Sequence, residues 1–181
     1  MSVTELLVEP FRSLGDHDGV RQTEVPNVDE LAAQPPSGFI DVYSSDRVRL
    51  VSVATGIVGS GAVAEELVQD AFVKLAAQGN KVEQPSAYVY RVVVNLCLHH
   101  LRRRRLERKH EPTRAELVWP QEIDETWAAV KRLAARQRAV VILRFYDDLS
   151  ERDIAELLGW PSGTVKSTLS RALKRLQEDL K

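Results

Sequence analysis

Hydroxyl and cationic side chains near the C-terminus recur on one face of a predicted helix. The set is Thr164, Lys166, Ser167, Ser170, Arg171, Lys174 and Arg175. Such groups pair with phosphates and with the edges of bases in the DNA grooves. Apolar residues repeat at i, i+4, i+8 and i+11 on the opposite side, at Val165, Leu169, Leu173 and Leu176. The pattern predicts an amphipathic helix with a DNA-binding face.

The residues before that helix predict a second helix packed against it. Ser150 is placed to cap a helix whose acidic first turn complements the helix dipole. Gly159 is placed to end this helix in the left-handed conformation, and Ser162 is expected to cap the next helix. Two helices joined in this way predict a helix-turn-helix whose second helix enters the major groove. A plain helical hairpin with a solvated basic face is the alternative.

Four consecutive arginines, Arg102 to Arg105, form a second cationic cluster. Like charges packed on one helical turn repel, so a polyanionic partner explains them better than solvation alone. They end a predicted helix that is capped by Ser86, runs through residue 108 and carries Tyr88 and Tyr90 near its start. Aromatic faces beside a basic channel are suited to stacking with unpaired bases. For Tyr90, packing in the core is an equally good interpretation.

Charge alternates along the chain although the net charge is only −1. Residues 1–37 have a balance of −5 and residues 81–114 a balance of +6. Residues 115–130 hold four acids and no bases, and residues 131–181 have a balance of +4. Two basic blocks separated by an acidic joint indicate two surfaces for a polyanion.

Helical periodicity dominates the chain, and no strand-like alternation of convincing length occurs. Helices are predicted over residues 39–53, 62–77, 86–108, 125–134, 135–146, 150–158 and 162–180. Gly56, Gly59 and Gly61 are predicted to mark a helix–helix turn, because their spacing does not fit a phosphate-binding loop. The chain is therefore predicted to be all-α, with two small helical domains joined by a flexible linker. The predicted boundaries are an acidic, disordered extension at 1–37 with a short helix near 28–33, a first domain at 38–111, a linker at 112–123 and a second domain at 124–181.

No catalytic or metal-binding set emerges from the sequence. Cys97 and His99 are two apart on a helix and diverge, and the remaining histidines have no credible partners. The chain is therefore expected to be no enzyme and to need no cofactor or metal, with Cys97 as a small buried apolar residue. No stretch is apolar enough for a membrane span, and no secretory signal is recognisable. A single cysteine fits a reducing compartment, so a cytoplasmic location is expected.

Residues 136–176, RQRAVVILRFYDDLSERDIAELLGWPSGTVKSTLSRALKRL, resemble region 4 of sigma factors of the sigma-70 family, in the extracytoplasmic-function (ECF) group. Residues 61–77, GAVAEELVQDAFVKLAA, resemble region 2.2 of the same family. Residues 88–105, YVYRVVVNLCLHHLRRRR, resemble regions 2.3 and 2.4. LuxR-type response regulators share part of the first stretch but lack the others. The resemblance covers roughly residues 38–111 and 124–181.

The resemblance implies a role for each surface. The residues implied to face a coiled coil of the largest polymerase subunit are Glu66, Gln69 and Asp70. The residues implied for the −10 element and for melting are Asn80, Lys81, Gln84, Tyr88, Tyr90, Asn95, Arg102 and Arg103. The cationic face of residues 164–175 is assigned to the −35 element.

The function implied by the resemblance is that of a sigma factor, which binds core RNA polymerase, recognises promoters and promotes their melting. The implied partners are the coiled coil and the flap region of core polymerase and promoter DNA, and an anti-sigma factor is a further candidate. The alternative is a helix-turn-helix regulator that acts without polymerase. A nucleic-acid enzyme would need convergent carboxylates, which the sequence does not indicate.

Three residues depart from the family pattern. His99 lies where an acid is usual, Val94 where arginine is common, and Thr168 where arginine is frequent. These positions bear on promoter preference and leave the family resemblance intact.

Overall fold

A computed structural model describes residues 37–107 and 125–180, and regular structure over these residues is entirely helical. The helices are α1 (Phe39–Val58), α2 (Gly61–Gln78), a 3-10 helix (Gly79–Lys81), α3 (Pro85–Glu107), α4 (Glu125–Arg132), α5 (Ala135–Phe145), α6 (Glu151–Leu158) and α7 (Ser162–Asp179). The all-α prediction is confirmed for this part of the chain. Residues 1–36 of the acidic extension, with its predicted short helix, and the whole of the predicted linker lie outside the described residues.

Helices α1, α2 and α3 pack against one another and form the N-terminal bundle. Ser60 precedes α2 and caps it, because its side chain accepts a hydrogen bond from the Val63 amide at 3.5 Å. Tyr43 of α1 and Phe72 of α2 meet edge to face with ring centroids 4.9 Å apart. This geometry suits the quadrupoles of the two rings and joins α1 to α2.

Helix α3 buries an apolar stripe formed by Val89, Val93 and Cys97, each 0% exposed. The spacing of i, i+4 and i+8 places these side chains on one side of the helix. The stripe explains why residues 88–94, which are apolar enough to pass for a strand, continue as a helix.

Helices α4 to α7 form the C-terminal bundle, in which α7 contacts α4, α5 and α6. Its centre holds Ile142 and Leu143 of α5, Ile154 of α6 and Leu176 of α7, all fully buried. Each residue comes from the apolar stripe of its own helix, as the periodicity predicts.

The helix-turn-helix formed by α6 and α7 begins with a capping box. The Asp153 amide donates to Ser150 Oγ at 3.2 Å, and the Ser150 amide donates to Asp153 Oδ2 at 3.3 Å. The hydrogen bonds from Ser150 lower the pKa of Asp153 below its ordinary value. After α6, Gly159 has a φ of 65°, and the Trp160 amide reaches back to the Ala155 carbonyl at 3.0 Å. The predicted cap at Ser150 and the left-handed glycine are both confirmed.

Two predicted caps are wrong. Helix α3 begins at Pro85, and the Ser86 hydroxyl instead donates a hydrogen bond to the Asp46 carboxylate of α1. Proline suits the first helical turn because its fixed φ is compatible with a helix and it has no amide to satisfy. Helix α7 is preceded by Pro161, and Ser162 is its first residue, with no side-chain hydrogen bond capping the helix.

Gly56 lies inside α1 rather than in the predicted turn, which falls at Gly59 with a φ of 83°. A Cβ atom at residue 56 would lie 3.1 Å from Cδ1 and 3.2 Å from Cγ2 of Ile142 on α5. The glycine therefore permits a close approach between α1 and α5, and the Gly cluster is not simply a corner between helices.

The two bundles pack directly on each other through α1 against α5 and through α3 against α5 and α6. Their buried side chains form one continuous hydrophobic core. Over residues 37–107 and 125–180, none of the helices has the length and apolarity needed to traverse a bilayer.

The capping box generates a prediction about stability. Ser150→Ala should lower the free energy of unfolding by about 1 kcal/mol, because the first-turn amide of Asp153 loses its acceptor. Urea denaturation followed by circular dichroism measures this change. Ser44→Ala, at an exposed position in α1, is the control and should stay within about 0.5 kcal/mol of the wild type. Equal unfolding free energies for the two variants would contradict the role of the cap.

Candidate nucleic-acid and polymerase-binding surfaces

The polar face of α7 is exposed along its length. The exposed residues of the predicted DNA-binding set are Lys166, Ser167, Ser170, Arg171, Lys174 and Arg175, and Thr164 is half-buried. The opposite face buries Val165, Leu169 and Leu176 in the core, and Leu173 lies at its edge. Because the buried face is anchored on α4, α5 and α6, the cationic face is held toward solvent.

Two of these polar side chains bond to their own helix. Arg171 Nε donates to the Ser167 carbonyl at 3.0 Å, and Ser167 Oγ donates to the Thr164 carbonyl at 3.1 Å. Both side chains are exposed, so a change of rotamer can release them toward a ligand at little cost. Arg171 lies near the middle of α7, and Lys174 lies about one turn further on.

A polar stripe runs along the exposed side of α3, opposite Val89, Val93 and Cys97. Its members recur at i, i+4, i+8 and i+11 and are Arg91, Asn95, His99 and Arg102, all exposed. Asn95 and Arg102 belong to the predicted −10 set. Arg91 and His99 were not included in that set, and their spacing from Asn95 is the signal that could have identified them. Arg103 and Arg105 add exposed cations to the end of the stripe.

Tyr90 turns away from this stripe. Its hydroxyl donates a hydrogen bond to Oδ2 of Asp147, which follows α5, and the guanidinium of Arg49 lies 5.3 Å from the centre of its ring. Burial, reinforced by the hydrogen bond to Asp147, raises the pKa of Tyr90 well above its ordinary value. The Tyr90 hydroxyl therefore forms a hydrogen bond between the two bundles.

The other predicted −10 residues remain accessible to different degrees. Tyr88 is half-buried against the core, whereas Asn80, Lys81 and Gln84 in the segment before α3 are exposed. Asn80 Oδ1 accepts hydrogen bonds from the Ser37 amide at 2.9 Å and from the Ser37 hydroxyl at 3.1 Å. The start of the described chain is therefore held beside the segment that leads into α3.

The acidic face of α2 presents the three predicted polymerase-contacting residues together. Glu66, Gln69 and Asp70 are all exposed, and the i, i+3 and i+4 spacing places them on one face. Val73 continues that face and is 49% exposed, one of the few large apolar residues exposed among those that the structure describes. An apolar residue beside acids suits a protein partner better than a nucleic acid. The same helical spacing in the sequence could have added Val73 to the predicted set.

The departures from the family pattern have structural explanations at two positions. Val94 is 0% exposed and Thr168 is 7% exposed, so both fill the core where a charged side chain would need solvation. His99 is exposed on the polar stripe of α3.

The chemistry of Cys97 agrees with its predicted structural role. The thiol is fully buried, and burial raises its pKa to about 12. Among residues 37–107 and 125–180, no group of three or more His, Cys, Asp or Glu residues is arranged to hold a metal ion.

A helix-turn-helix with a cationic second helix, packed beside a bundle that carries another cationic helix, is the architecture of a DNA-binding protein. Comparisons with protein families agree with this class. Residues 42–107 match the family model "Sigma-70 region 2", and residues 123–176 match "Sigma-70, region 4".

Curated relatives point to the same family. The RNA polymerase sigma-E factor of Streptomyces antibioticus is 33% identical over 153 residues, covering 78% of this chain and 84% of the relative. The ECF RNA polymerase sigma factor SigW of Bacillus subtilis is 22% identical over 166 residues, covering 79% and 89% of the two chains. Among solved structures, the sigma factor RpoE of Bartonella quintana, in complex with the anti-sigma factor NepR, superposes with a TM-score of 0.60 at 26% identity. That match covers 80% of this chain and 94% of RpoE.

The chain belongs to the sigma-70 family of RNA polymerase sigma factors, in its ECF group. The match over residues 42–107 matters most, because a helix-turn-helix regulator that acts without polymerase has no need of region 2. The regulator alternative is therefore not favoured.

The burial of Cys97 generates a prediction about its reactivity. At pH 8 the folded thiol should stay protonated and inaccessible, since its pKa is raised to about 12. Reaction with a chromogenic disulfide reagent should be slower by about tenfold or more in the native protein than in 8 M urea, because it requires local unfolding. Equal rates in the two solvents would show that Cys97 is accessible in the native state.

Proposed function

We propose that this sigma factor binds core RNA polymerase through α2, recognises the −35 element through α7, and binds and melts the −10 element through α3 and the segment before it. The observation that carries the proposal is that separate exposed helix faces differ in charge. Each bundle exposes one cationic helix face, and α2 of the N-terminal bundle exposes Glu66, Gln69 and Asp70 together on one face. Two cationic faces suit two promoter elements, and the acidic face is suited to protein.

The α7 face has the composition that duplex recognition requires. Lysines contact phosphates as point charges, whereas arginine can bond a guanine through two hydrogen bonds. Residues near the start of a recognition helix reach base edges, and later residues leave the groove. Because Arg171 is an arginine and precedes Lys174 by about one turn, we assign base contact to Arg171 and phosphate contact to Lys174. Lys166 and Arg175 supply further phosphate contacts, and the hydroxyl groups of Thr164, Ser167 and Ser170 complete the −35 surface.

Promoter melting requires bases to be held after they leave the stack. Each base stacked on an aromatic side chain contributes about 1–3 kcal/mol. Tyr88 supplies an aromatic face beside exposed polar groups at Asn80, Lys81 and Gln84, so we propose this end of α3 as the site that captures an unpaired base of the −10 element. Asn95, Arg102 and Arg103 then follow the backbone along the polar stripe of α3, together with Arg91.

The N-terminal bundle is also the proposed site of polymerase binding. Glu66, Gln69 and Asp70 would face the coiled coil of the largest polymerase subunit, with Val73 as an apolar contact among them. The C-terminal bundle would contact the flap region. The arrangement leaves α3 and α7, on other surfaces, available to DNA.

The proposed organisation has two functional domains, residues 38–111 and 124–181, with a linker at 112–123 and an acidic extension at 1–37. The solved complex of the relative RpoE with the anti-sigma factor NepR supports an anti-sigma protein as a further partner for this chain. Action with RNA polymerase on chromosomal DNA places the proposed function in the cytoplasm.

The proposed polymerase contact predicts the effect of charge reversal on α2. Glu66→Arg combined with Asp70→Arg should abolish co-purification with core polymerase, because two acids on one exposed face become cations. Circular dichroism should show unchanged helical content. Glu178→Arg, an exposed acid on α7, is the control and should leave polymerase binding intact. Co-purification of the double variant at the wild-type level would place the polymerase contact elsewhere.

The proposed −35 surface predicts different behaviour for two cations of α7. Arg171→Ala should relax preference at one position of the −35 element and cost about 1–3 kcal/mol on the preferred sequence. Lys174→Ala should weaken all promoters about equally and make the salt dependence shallower. Open-complex formation with core polymerase, on a library of −35 variants at several salt concentrations, separates the two outcomes. If neither variant alters affinity or preference, α7 does not read the duplex.

Run-off transcription tests the proposed function as a whole. Core polymerase supplemented with the purified chain should initiate at defined positions on genomic fragments, whereas core polymerase alone should not. Tight, sequence-specific binding of the free chain to duplex DNA, without stimulation of transcription, would instead support the regulator.

A further inference from the structure

Asn80, in the proposed capture site for the −10 element, is bonded to the residue at which the described chain begins. Its Oδ1 atom accepts hydrogen bonds from the Ser37 amide at 2.9 Å and from the Ser37 hydroxyl at 3.1 Å. A backbone amide can only donate, so the side-chain atom of Asn80 that faces it must be the oxygen. That oxygen has two lone pairs, and the two donors of Ser37 use both of them.

Two glycines with positive φ lie directly beside this pair. Gly38 follows Ser37 with a φ of 78°, and Gly79 precedes Asn80 with a φ of 57°. Residues with a Cβ atom rarely adopt such values, whereas glycine does so readily. Gly38 lies at the start of α1 and Gly79 at the end of α2, so the contact between Ser37 and Asn80 joins the ends of these two helices.

The bonds from Ser37 determine what Asn80 can offer to a ligand. Because Oδ1 is engaged, the part of the side-chain amide that can meet a base is Nδ2, which carries two donor hydrogens and no acceptor. Lys81, the next residue of the 3-10 helix, is exposed and likewise carries donors only. This end of the proposed capture site therefore presents donors.

The four bases differ in what they offer to such donors. Guanine has two adjacent acceptors, O6 and N7, and a single amino nitrogen can bond both, as lysine does. Cytosine has adjacent acceptors at N3 and O2 on the edge that becomes accessible in a single strand. In adenine the acceptor N7 adjoins the N6 amino group, and the usual pairing of asparagine with adenine needs the amide oxygen as an acceptor. In thymine an N–H group separates the two carbonyl oxygens.

We propose that Ser37 is a positioning residue that holds Asn80 as a hydrogen-bond donor, so that the −10 capture site selects guanine or cytosine over adenine at the base that Asn80 contacts. The inference rests on the proposed function, because Asn80 meets a base only if the segment before α3 captures one. Ser37 precedes residues 42–107, which match region 2. Base selectivity thus depends on a residue outside the part of the chain that the family model covers.

Variants of Ser37 separate positioning from a merely structural role. Ser37→Ala removes the hydroxyl and keeps the amide, whereas Ser37→Pro removes both donors. Ser37 precedes α1, so proline at this position takes no hydrogen bond from the helix. Ser37→Thr retains both donors and should behave like the wild type. Ser44→Ala, at an exposed position in α1, is the matched control.

The first measurement is hydrogen exchange of the Ser37 amide in the free chain, followed by nuclear magnetic resonance. Asn80→Ala removes the acceptor, so the exchange should become faster by about fivefold, the factor that one ordinary hydrogen bond contributes. Gln78→Ala, at an exposed position two residues earlier, should leave the rate unchanged. Equal rates in the wild type and Asn80→Ala would show that the contact does not hold Asn80, and the proposal would fail.

The second measurement is the base preference of the holoenzyme formed from core polymerase and the full-length chain. Open complexes are isolated on a promoter found by run-off transcription, with all four bases present at each −10 position, and the retained strands are sequenced. With the wild type, Ser37→Thr and Ser44→Ala, guanine or cytosine should exceed adenine by about tenfold at one position. Asn80→Ala should remove the preference at that position. Ser37→Pro should raise adenine there to the level of the favoured base, because Oδ1 can then accept from N6, and Ser37→Ala should lie between.

Two outcomes of this selection would overturn the proposal. If Asn80→Ala alters no position, Asn80 does not contact the base. If Asn80→Ala alters a position and neither Ser37→Pro nor Ser37→Ala changes the order of bases there, Asn80 reads the base without Ser37. Circular dichroism establishes whether Ser37→Pro is folded, and Ser37→Ala alone decides the second outcome if it is not. Failure of the proposed function differs from both, because the wild type itself would then form no open complexes.

Discussion

Helix α3 packs against the other two helices of its own bundle and against α5 and α6 of the C-terminal bundle. The rest of the molecule therefore depends on the burial of its apolar stripe. Val89, Val93 and Cys97 lose all contact with solvent, and they do so because α1 and α2 cover one part of the helix while α5 and α6 cover another. Burial of each such side chain contributes roughly 1.5–3 kcal/mol. Because the apolar stripe lies on one side of α3, the opposite side of the helix faces solvent.

The exposed side of α3 carries the consecutive arginines of the chain. Arginines at consecutive positions repel one another, and only solvent or an anionic partner can offset that repulsion. The buried stripe fixes the rotation of α3, so Arg91, Asn95, His99 and Arg102 are aligned without needing contacts of their own. The core therefore positions the surface that we propose for nucleic acid, and the same reasoning applies to α7, which Val165, Leu169 and Leu176 anchor.

Charge that lies between the bundles follows a different rule from charge on these faces. A carboxylate that is 5% exposed is stable only with close donors, and Asp147 obtains them from Arg49 and Tyr90. Exposed ion pairs contribute little, as is expected of Arg144 with Asp148. The charged groups on the proposed DNA-binding faces are thus separate from the Arg49–Asp147 pair between the bundles.

The sequence by itself determined the features that depend on neighbours a few residues away. Helical periodicity predicted the all-α fold and the exposed faces of α2 and α7, because the side of a helix on which a residue lies is set by its position along the chain. The burial of Cys97 was predicted from the apolar character of a free cysteine. The N-cap at Ser150 and the left-handed turn at Gly159 are also local, and both were predicted, whereas the return hydrogen bond from the Ser150 amide to Asp153 was not. Family resemblance added the assignment of the two regions, and most of the candidate site followed from it.

Only the tertiary structure decided the features that depend on residues far apart in the chain. Ser86 bonds Asp46 instead of capping α3, and Gly56 stays within α1 because Ile142 lies against it. Tyr90 had two equally good interpretations until Asp147, 57 residues away, was found to accept its hydroxyl. The spacing of residues in the sequence cannot predict such a contact, because it arises from how whole helices pack against one another. The sequence could therefore predict which helix faces are exposed, whereas the packing of the two bundles determined which individual side chains, such as that of Tyr90, are held by contacts within the protein.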